Sequence, residues 1–591
     1  MKNFKIKMIS CLVLLGIFHS CDDDFLDRQP LNIISESDVW SSLTGVEAYL
    51  VTLYNNMQTE DFNYNGIIDY QGYLPYVTDI CLRAKTWGTV SNVSIMPSNA
   101  YGWWGYGQVR QANLFLENID DASISQDQKV ILRGEARFIR AFYYFSMVKR
   151  YGGVPIIEDA QQFTGDNLAE LQVSRNTEQE VYDWIASELD LAIADLPATR
   201  GSDDKFRATK WAAYALKSRA MLYAASSARY AGVQLNGLIG IPSSEAERYY
   251  TAAKNASKAI MDSEQYTLFD ESDDKAQNFY DLFMGDGTNS EMIFVKSFKA
   301  PDKTHSFDFF NTPHSFRIDW GSGFNPTVDL VQDYEYVDGS EGTLRVNDAN
   351  GNPIKYQNPA DLFDGKDPRF FATVLYPFAP YQGGIVEVRA GIIDNDQIIT
   401  AGNLTDLYGQ GSEAVTIMGK DGPSANSDPT KTGFYLHKFI NDSQQVPDGR
   451  SETPWPIFRY AEVLLNYAEA TVELGENGLA LDAINRIRTR AGIASLENID
   501  RDKVRHERKV ELAFENHRFW DLRRWRNGTE ILNNTQPLAL NPYLVWEDKT
   551  YIFSIDNAPR QPRTWTEQMY WEAIPGNEIS TNPNMIQNPL Y

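Results

Sequence analysis

Cysteine is nearly absent from this chain: three residues in 591, at positions 11, 21 and 81. That excludes a disulfide framework, so a large hydrophobic core must stabilise the protein alone. Histidine is scarce as well, with six residues. His305 and His314 fall in one loop, while His437, His506 and His517 are scattered, and none has the spacing of zinc ligands. Basic residues are outnumbered, 54 Lys plus Arg against 80 Asp plus Glu, for a net charge of −26. A chain this acidic repels phosphate backbones, which argues against nucleic acid as a partner. No apolar run reaches the roughly twenty residues that a membrane-spanning helix needs. Also missing are GxxxxGK[ST], HExxH, GxSxG and a complete EF-hand loop, which removes the commonest nucleotide, metalloprotease, hydrolase and calcium-loop readings.

The N-terminus has a definite pattern. Lys2, Lys5 and Lys7 precede an apolar run from Met8 to Phe18, too short to span a bilayer and suited to a signal-peptide core. Ser20 then precedes Cys21, and Asp22, Asp23 and Asp24 follow. A cysteine directly after a signal core, with a small residue before it, is where a bacterial lipoprotein is cut and acylated. Residues 1–20 are expected to be removed and Cys21 to carry lipid, anchoring the mature protein to a membrane without spanning it. Cys81 is then the one remaining thiol.

Helical hairpins follow. Ser125 with Gln128 forms a capping box, and an amphipathic stripe continues to Tyr151, where Gly152, Gly153 and Pro155 stop the helix. Further helices are expected over 177–195, 208–228 and 246–262, with alanines such as Ala212, Ala215, Ala253 and Ala256 permitting close packing. The style returns at 460–474 and 478–490, a hairpin of tetratricopeptide-repeat type. Residues 61–107 and 264–458 differ in kind: rich in Gly, Pro, Asn, Asp and aromatics, with short strand-like runs at 291–298 and 372–376. The expected fold is mainly α, a tetratricopeptide-like scaffold of hairpins with long loop-rich insertions and few short strands. It divides into a signal peptide (1–20), an N-terminal helical region (21–263), a loop-rich insertion (264–458) and a C-terminal helical region (459–591).

Two features compete as a functional site. The segment 503–525 reads as one helix with Glu507, Glu511 and Glu515 at four-residue steps among arginines. A glycosidase needs two carboxyls facing each other across a sugar, about 5–10 Å apart. Glutamates on one helix face point the same way, so a salt-bridged structural helix is the better reading. Aromatic loops make the stronger signal. Trp87, Tyr101, Trp104 and Trp320 lie in polar loops next to glycines. Sugar C–H faces pack on such rings, and nearby polar groups read the hydroxyls. Asp79, Arg83, Asn99 and Arg317 supply those groups, whereas Trp103 and Tyr106 are assigned to the core.

Taken together, these motifs resemble the SusD/RagB family of surface lipoproteins. The resemblance rests on an ordered series: CDDDFLDRQP at 21–30, Trp103/Tyr106/Val109/Asn113, EARFIRAFYYFSMVKRYGGVP at 135–155, NPTVDLVQDYEYVDG at 325–339, DGKDPRFFATV at 364–374, TGFYLHKFI at 432–440, FRYAEVLLNYAEA at 458–470, ALDAINRIRTRAG at 480–492 and ERKVELAFENHRFWDLRRW at 507–525. It implies a non-enzymatic lipoprotein on the outer face of the outer membrane. Such a protein captures oligosaccharides, or in some members peptides, and hands them to a SusC-like TonB-dependent transporter barrel. Some relatives bind a structural calcium, for which no ligand set is assigned here. The family's binding residues follow no fixed motif, so the eight ligand-binding candidates rest on the loop argument alone.

Overall fold

The computed structural model describes residues 39–63, 74–84, 100–424 and 428–591. The helices named here are α1 (Leu43–Asn55), α2 (Tyr106–Asn118), α3 (Gln126–Tyr151), α4 (Glu178–Asp195), α5 (Lys210–Ser226), α6 (Ala246–Asp262) and α7 (Lys275–Met284), then α8 (Tyr460–Glu473), α9 (Asn477–Ala491), α10 (Arg501–Glu511) and α11 (His517–Arg524). The expected capping box at Ser125 forms, and a second forms at Thr177, which opens the expected helix over 177–195. Ser125 Oγ accepts from the Gln128 amide at 3.3 Å and Thr177 Oγ1 from the Glu180 amide at 3.2 Å, with each N3 side chain returning to the cap amide.

Each helix packs on the next: α2 on α3, α3 on α4, α4 on α5, α5 on α6. Helix α6 then packs on α8, and α8 on α9 and α10. The two helical regions, 198 residues apart along the chain between Asp262 and Tyr460, therefore form one continuous stack. Small residues permit this. A side chain at Gly134 would meet Asp195 Cβ at 2.8 Å, so α3 and the end of α4 approach closely only because that position is bare. A buried polar pin adds register: Ser218 Oγ on α5 lies 2.7 Å from Ser257 Oγ on α6 and accepts from Asn466 Nδ2 on α8 at 3.2 Å.

Short strands come from the insertion and from both flanking regions: β1 (Cys81–Arg83), β2 (Met292–Lys296), β3 (Phe324–Pro326), β4 (Gly391–Asp394), β5 (Gln397–Ile399), β6 (Trp455–Arg459), β7 (Leu538–Val545) and β8 (Tyr551–Asn557). Strand β6 pairs antiparallel with β2 and leads directly into α8, which ties the insertion to the helical stack. A four-stranded sheet in the order β8-β7-β4-β5 covers the other side, with β7 and β4 parallel. The strand-like run at 372–376 is only partly extended: Ala372 and Thr373 end a short helix, Pro368–Thr373, capped by Asp367, and Val374–Leu375 is the strand.

One helix expectation is corrected. Residues 503–525 form two helices, because Phe514 and Asn516 adopt left-handed backbone angles, φ 63° and 62°, between α10 and α11. Cys81 is a fully buried free thiol in β1. Among the described residues no helix is long and apolar enough to cross a membrane. The expected acylation at Cys21 falls outside the described residues.

Candidate functional site

The Glu507–Glu515 cluster is a buried ionic core. Arg369 donates to Glu507 at 2.6 Å and to Glu511 at 2.8 Å. Arg459 meets Glu291, Glu511 and Glu515, each at 2.7 Å, and Lys438 Nζ meets Glu515 at 2.7 Å. Arg488 reaches Glu507 at 3.1 Å and Arg490 reaches Glu291 at 3.2 Å. Arg369 and Arg459 are 1 % exposed and Glu511 is not exposed at all. Burial alone would raise the Glu511 carboxyl, but Arg490, Arg459 and Arg369 overcome it and hold the group well below the usual carboxylate range. These carboxylates are buried and have no surface to offer a sugar. They lock β6, α9, α10 and the insertion together.

The aromatic loops divide. The antiparallel ladder pairs Arg83 with Phe324, and the Ala84 amide donates to Gly323 O at 3.3 Å. Ala84 at the end of β1 and the chain arriving at β3, which carries Trp320, therefore lie side by side. Trp87 and Asn99 lie outside the described residues. The Trp320 segment folds back as a compact loop: Ser322 N donates to Thr312 O at 2.9 Å and Gly323 N to Phe310 O at 2.8 Å. A side chain at Gly321 would strike Thr312 O at 2.5 Å, and Ser322 adopts φ 62°, a left-handed angle uncommon outside glycine.

The loop is held from several sides. The Ser315 amide and hydroxyl donate to Asp421 at 2.7 and 2.8 Å. Burial raises the Asp421 carboxyl to about 6, against the pull of those hydrogen bonds. Phe316 packs edge-on against Tyr381 at 5.2 Å, and Gln445 Nε2 donates to Phe316 O at 2.6 Å. Arg317 pairs with Asp428 at 2.6 Å while remaining partly exposed. Trp320 stands edge-on to Phe310 at 6.4 Å and is itself partly exposed; Ile318 and Asp319 beside it are exposed. Gln445 also lines an adjoining cleft of about 790 Å³ bordered by Phe206, Met284, Phe298, Asn441 and Arg450. The arrangement is a partly exposed ring and a guanidinium on a tightly held loop, which Gln445 links to a cleft of mixed polarity.

Of the remaining candidates, Tyr101, Asp79 and Arg83 are corrected as internal, while Trp104 is partly buried. Tyr101 is completely buried against Phe519, with ring centroids 5.0 Å apart, so its face is not presented to a ligand. Trp104 packs among Tyr106 and Tyr151, 5.0 and 5.2 Å away, at the end of α3. Asp79 is an internal tie, bridging Lys509 of α10 at 2.8 Å and Arg518 of α11 at 2.7 Å. Burial pushes its carboxyl up, and Arg518 and Lys509 more than reverse that. Arg83 is 7 % exposed within β1. Trp103 and Tyr106 pack on the core as expected, Tyr106 donating to Pro155 O at 2.5 Å. Tyr101 misleads because the glycines around it serve a tight entry into α2. Gln445 gives no sequence signal, since its role depends on a contact 129 residues away. Among the described residues no group of three or more His, Cys, Asp or Glu side chains is gathered to hold a metal.

Comparison with known proteins places this architecture. The SusD family profile matches residues 290–591, and a second profile, described as starch-binding and associating with the outer membrane, matches residues 24–222. The chain belongs to the SusD family. It is 24 % identical over 546 residues to a SusD-like protein of Bacteroides ovatus, covering 88 % of this chain and 82 % of that protein. A SusD-like protein from Bacteroides fragilis has a similar structure, with TM-score 0.71 and 27 % identity over 95 % of this chain and all of that one. The fold is also shared with surface glycan-binding protein A from Bacteroides uniformis, TM-score 0.60 at 17 % identity over 93 % of this chain and 99 % of that one.

Proposed function

We propose that this protein is a surface glycan-binding lipoprotein, anchored in the outer membrane through acylated Cys21, that captures oligosaccharides at the Trp320 loop. It delivers them to a SusC-like TonB-dependent transporter and catalyses no reaction itself. The observation that carries the binding role is the Trp320 loop, a partly exposed ring with Arg317 beside it, held by the β1–β3 ladder and by Asp421. The family membership and the glycan-binding names of structural neighbours support the ligand class. The buried, fully paired state of Glu507, Glu511 and Glu515 supports a binding role over hydrolysis. A single exposed stacking platform favours modest affinity, which suits capture followed by release.

The direct test is a glycan array with calorimetry on each hit. Binding by the wild type and its loss in Trp320→Ala support the reading; steady release of reducing ends from a bound glycan would contradict it. Anchoring is checked by fractionation: Cys21→Ala should leave the outer-membrane fraction. Co-purification of a large barrel protein in mild detergent tests the transporter partnership, and a stable complex should bury more than about 2,000 Å².

A further inference from the structure

The charge around the Trp320 loop runs against the charge of the chain. Overall the protein carries −26, yet the loop is bordered by Arg317, Lys431 and Arg560, with exposed Lys420 alongside. These cations are tied into one turn of structure. The Lys431 amide donates to Asn325 Oδ1 at 2.9 Å, next to β3. Arg560 donates to Arg83 O at 2.9 Å and Ala84 O at 2.6 Å, and Ala84 N in turn reaches Gly323 O at 3.3 Å. Arg317 packs back on Gly321, immediately beside Trp320.

Their partners are what set them apart from the ionic core. In the core, Arg369 and Arg459 each meet two or three carboxylates. Arg560 instead donates to the carbonyls of Arg83, Ala84 and Pro559, and among the described residues it meets no carboxylate. Lys431 Nζ donates to another carbonyl, Ser424 O, at 3.0 Å. Carbonyls orient the Arg560 guanidinium without neutralising it. The cations also feel one another. Burial lowers the Lys431 ammonium to about 8, with Arg560 adding to the shift and Asp428 opposing it. Burial likewise lowers the His314 imidazole, helped by Arg317. The acids in the same region are Asp428, engaged with Arg317, exposed Asp319, Glu387, paired with Arg389 at 3.0 Å, and Asp421, whose oxygens accept from Ser315 and from the Glu387 amide at 3.0 Å.

We propose that the ligand is an acidic oligosaccharide whose carboxylate or sulfate groups are met by Arg317, Lys431 and Arg560 while one of its rings stacks on Trp320. This rests on the reading of the Trp320 loop as a glycan platform. A guanidinium takes such groups bidentately, and an ammonium takes them as a point charge. Long-range repulsion from the acidic body would then be offset at the platform, favouring a ligand that is seated there.

The test uses affinity electrophoresis of the full mature chain through gels containing polygalacturonate, alginate, chondroitin sulfate or carrageenan. Amylopectin, laminarin and galactomannan serve as neutral counterparts, with carboxyl-reduced and desulfated forms of the acidic polymers as matched controls. Retardation by an acidic polymer and not by its neutralised form is expected. Raising salt from about 50 to about 500 mM should weaken it at least about tenfold, because partly exposed charges are screened. Lys431→Gln and Arg560→Gln should each weaken it severalfold and Lys431→Arg should retain it, with melting temperatures checking that each variant is folded. The uronate and sulfate arms identify which anion is read. Retardation by neutral polymers alone, lost in Trp320→Ala and insensitive to salt and to Lys431→Gln, would overturn the charge class and leave the platform standing. Retardation by none of the polymers would overturn both.

Discussion

The C-terminal ionic core and the Trp320 loop are built from the same residue types and do opposite things. In the core, Arg369, Arg459 and Arg490 are satisfied by Glu291, Glu507, Glu511 and Glu515 in a region sealed from water. At the loop, Arg317 has one carboxylate partner and keeps a water-facing surface, and Arg560 holds carbonyls. A buried, fully paired charge fixes the geometry of its neighbours and has nothing left to give a ligand. A partly exposed charge on a rigid loop adds little stability and retains its binding capacity. The difference lies in partners and solvent, not in the residues themselves.

The largest effect that could break this comparison is in the core. Arg459→Ala would leave Glu291, Glu511 and Glu515 buried with less compensation, and should cost about 3–5 kcal/mol of folding stability, read by denaturant unfolding. A cost under about 1 kcal/mol would mean the network is not holding the fold. At the loop the expected order reverses. Trp320→Ala should cost roughly 1–3 kcal/mol in ligand binding by calorimetry, the scale of a lost stacked ring, with little change in stability because the ring is partly exposed.

A smaller effect separates the two regions by pH. Burial tends to raise the Glu469 carboxyl, but Arg524 and Arg508 bring it down to about 2. Its contribution to stability is thus complete above its unfolded value of about 4.5 and is lost only as pH falls toward about 2. Asp421 has the opposite sign. Its carboxyl is raised to about 6 by burial, so its contribution is present at low pH and is lost as pH rises through about 6. Comparing wild type with Asp421→Asn should show a stability difference that changes between about pH 4 and 6 and is flat above it. A difference that stays flat across this range would show that Asp421 behaves as an ordinary exposed carboxylate. The smallest effect is at the helical pin, where Ser218→Ala should cost about 1 kcal/mol by leaving Asn466 with a lost partner.

Much of the fold was legible because helices announce themselves locally. The capping boxes at Ser125 and Thr177, the alanine faces of α5 and α6 and the hairpin of α8 and α9 all follow from spacing along the chain. What spacing did not reveal was the break at Phe514 and Asn516, since neither residue is a usual helix breaker and the left-handed turn is held by tertiary contacts, such as Asn516 Nδ2 to Glu60 O at 2.7 Å. The site was half legible. Trp320 and Arg317 belong to a loop whose glycines mark a sharp return, and the structure brings them together. Tyr101 and Asp79 satisfied the same composition rule and turned out to be internal, because a polar loop composition does not say whether another element lies over it. Lys431, Arg560 and Gln445 reach the site from distant parts of the chain and could not have been found from local pattern.

The central claim is that ligand is held at the Trp320 loop and that the ionic core only supports it. A crystal structure of the protein with a bound oligosaccharide identified by the array tests this most directly. The account predicts a sugar ring packed flat on Trp320, with Arg317 or Lys431 within hydrogen-bond distance of a ligand oxygen and the Glu507–Glu515 carboxylates still paired with their arginines. A ligand seated away from Trp320, or one that draws Glu511 or Glu515 out of the core to contact a sugar, would contradict it.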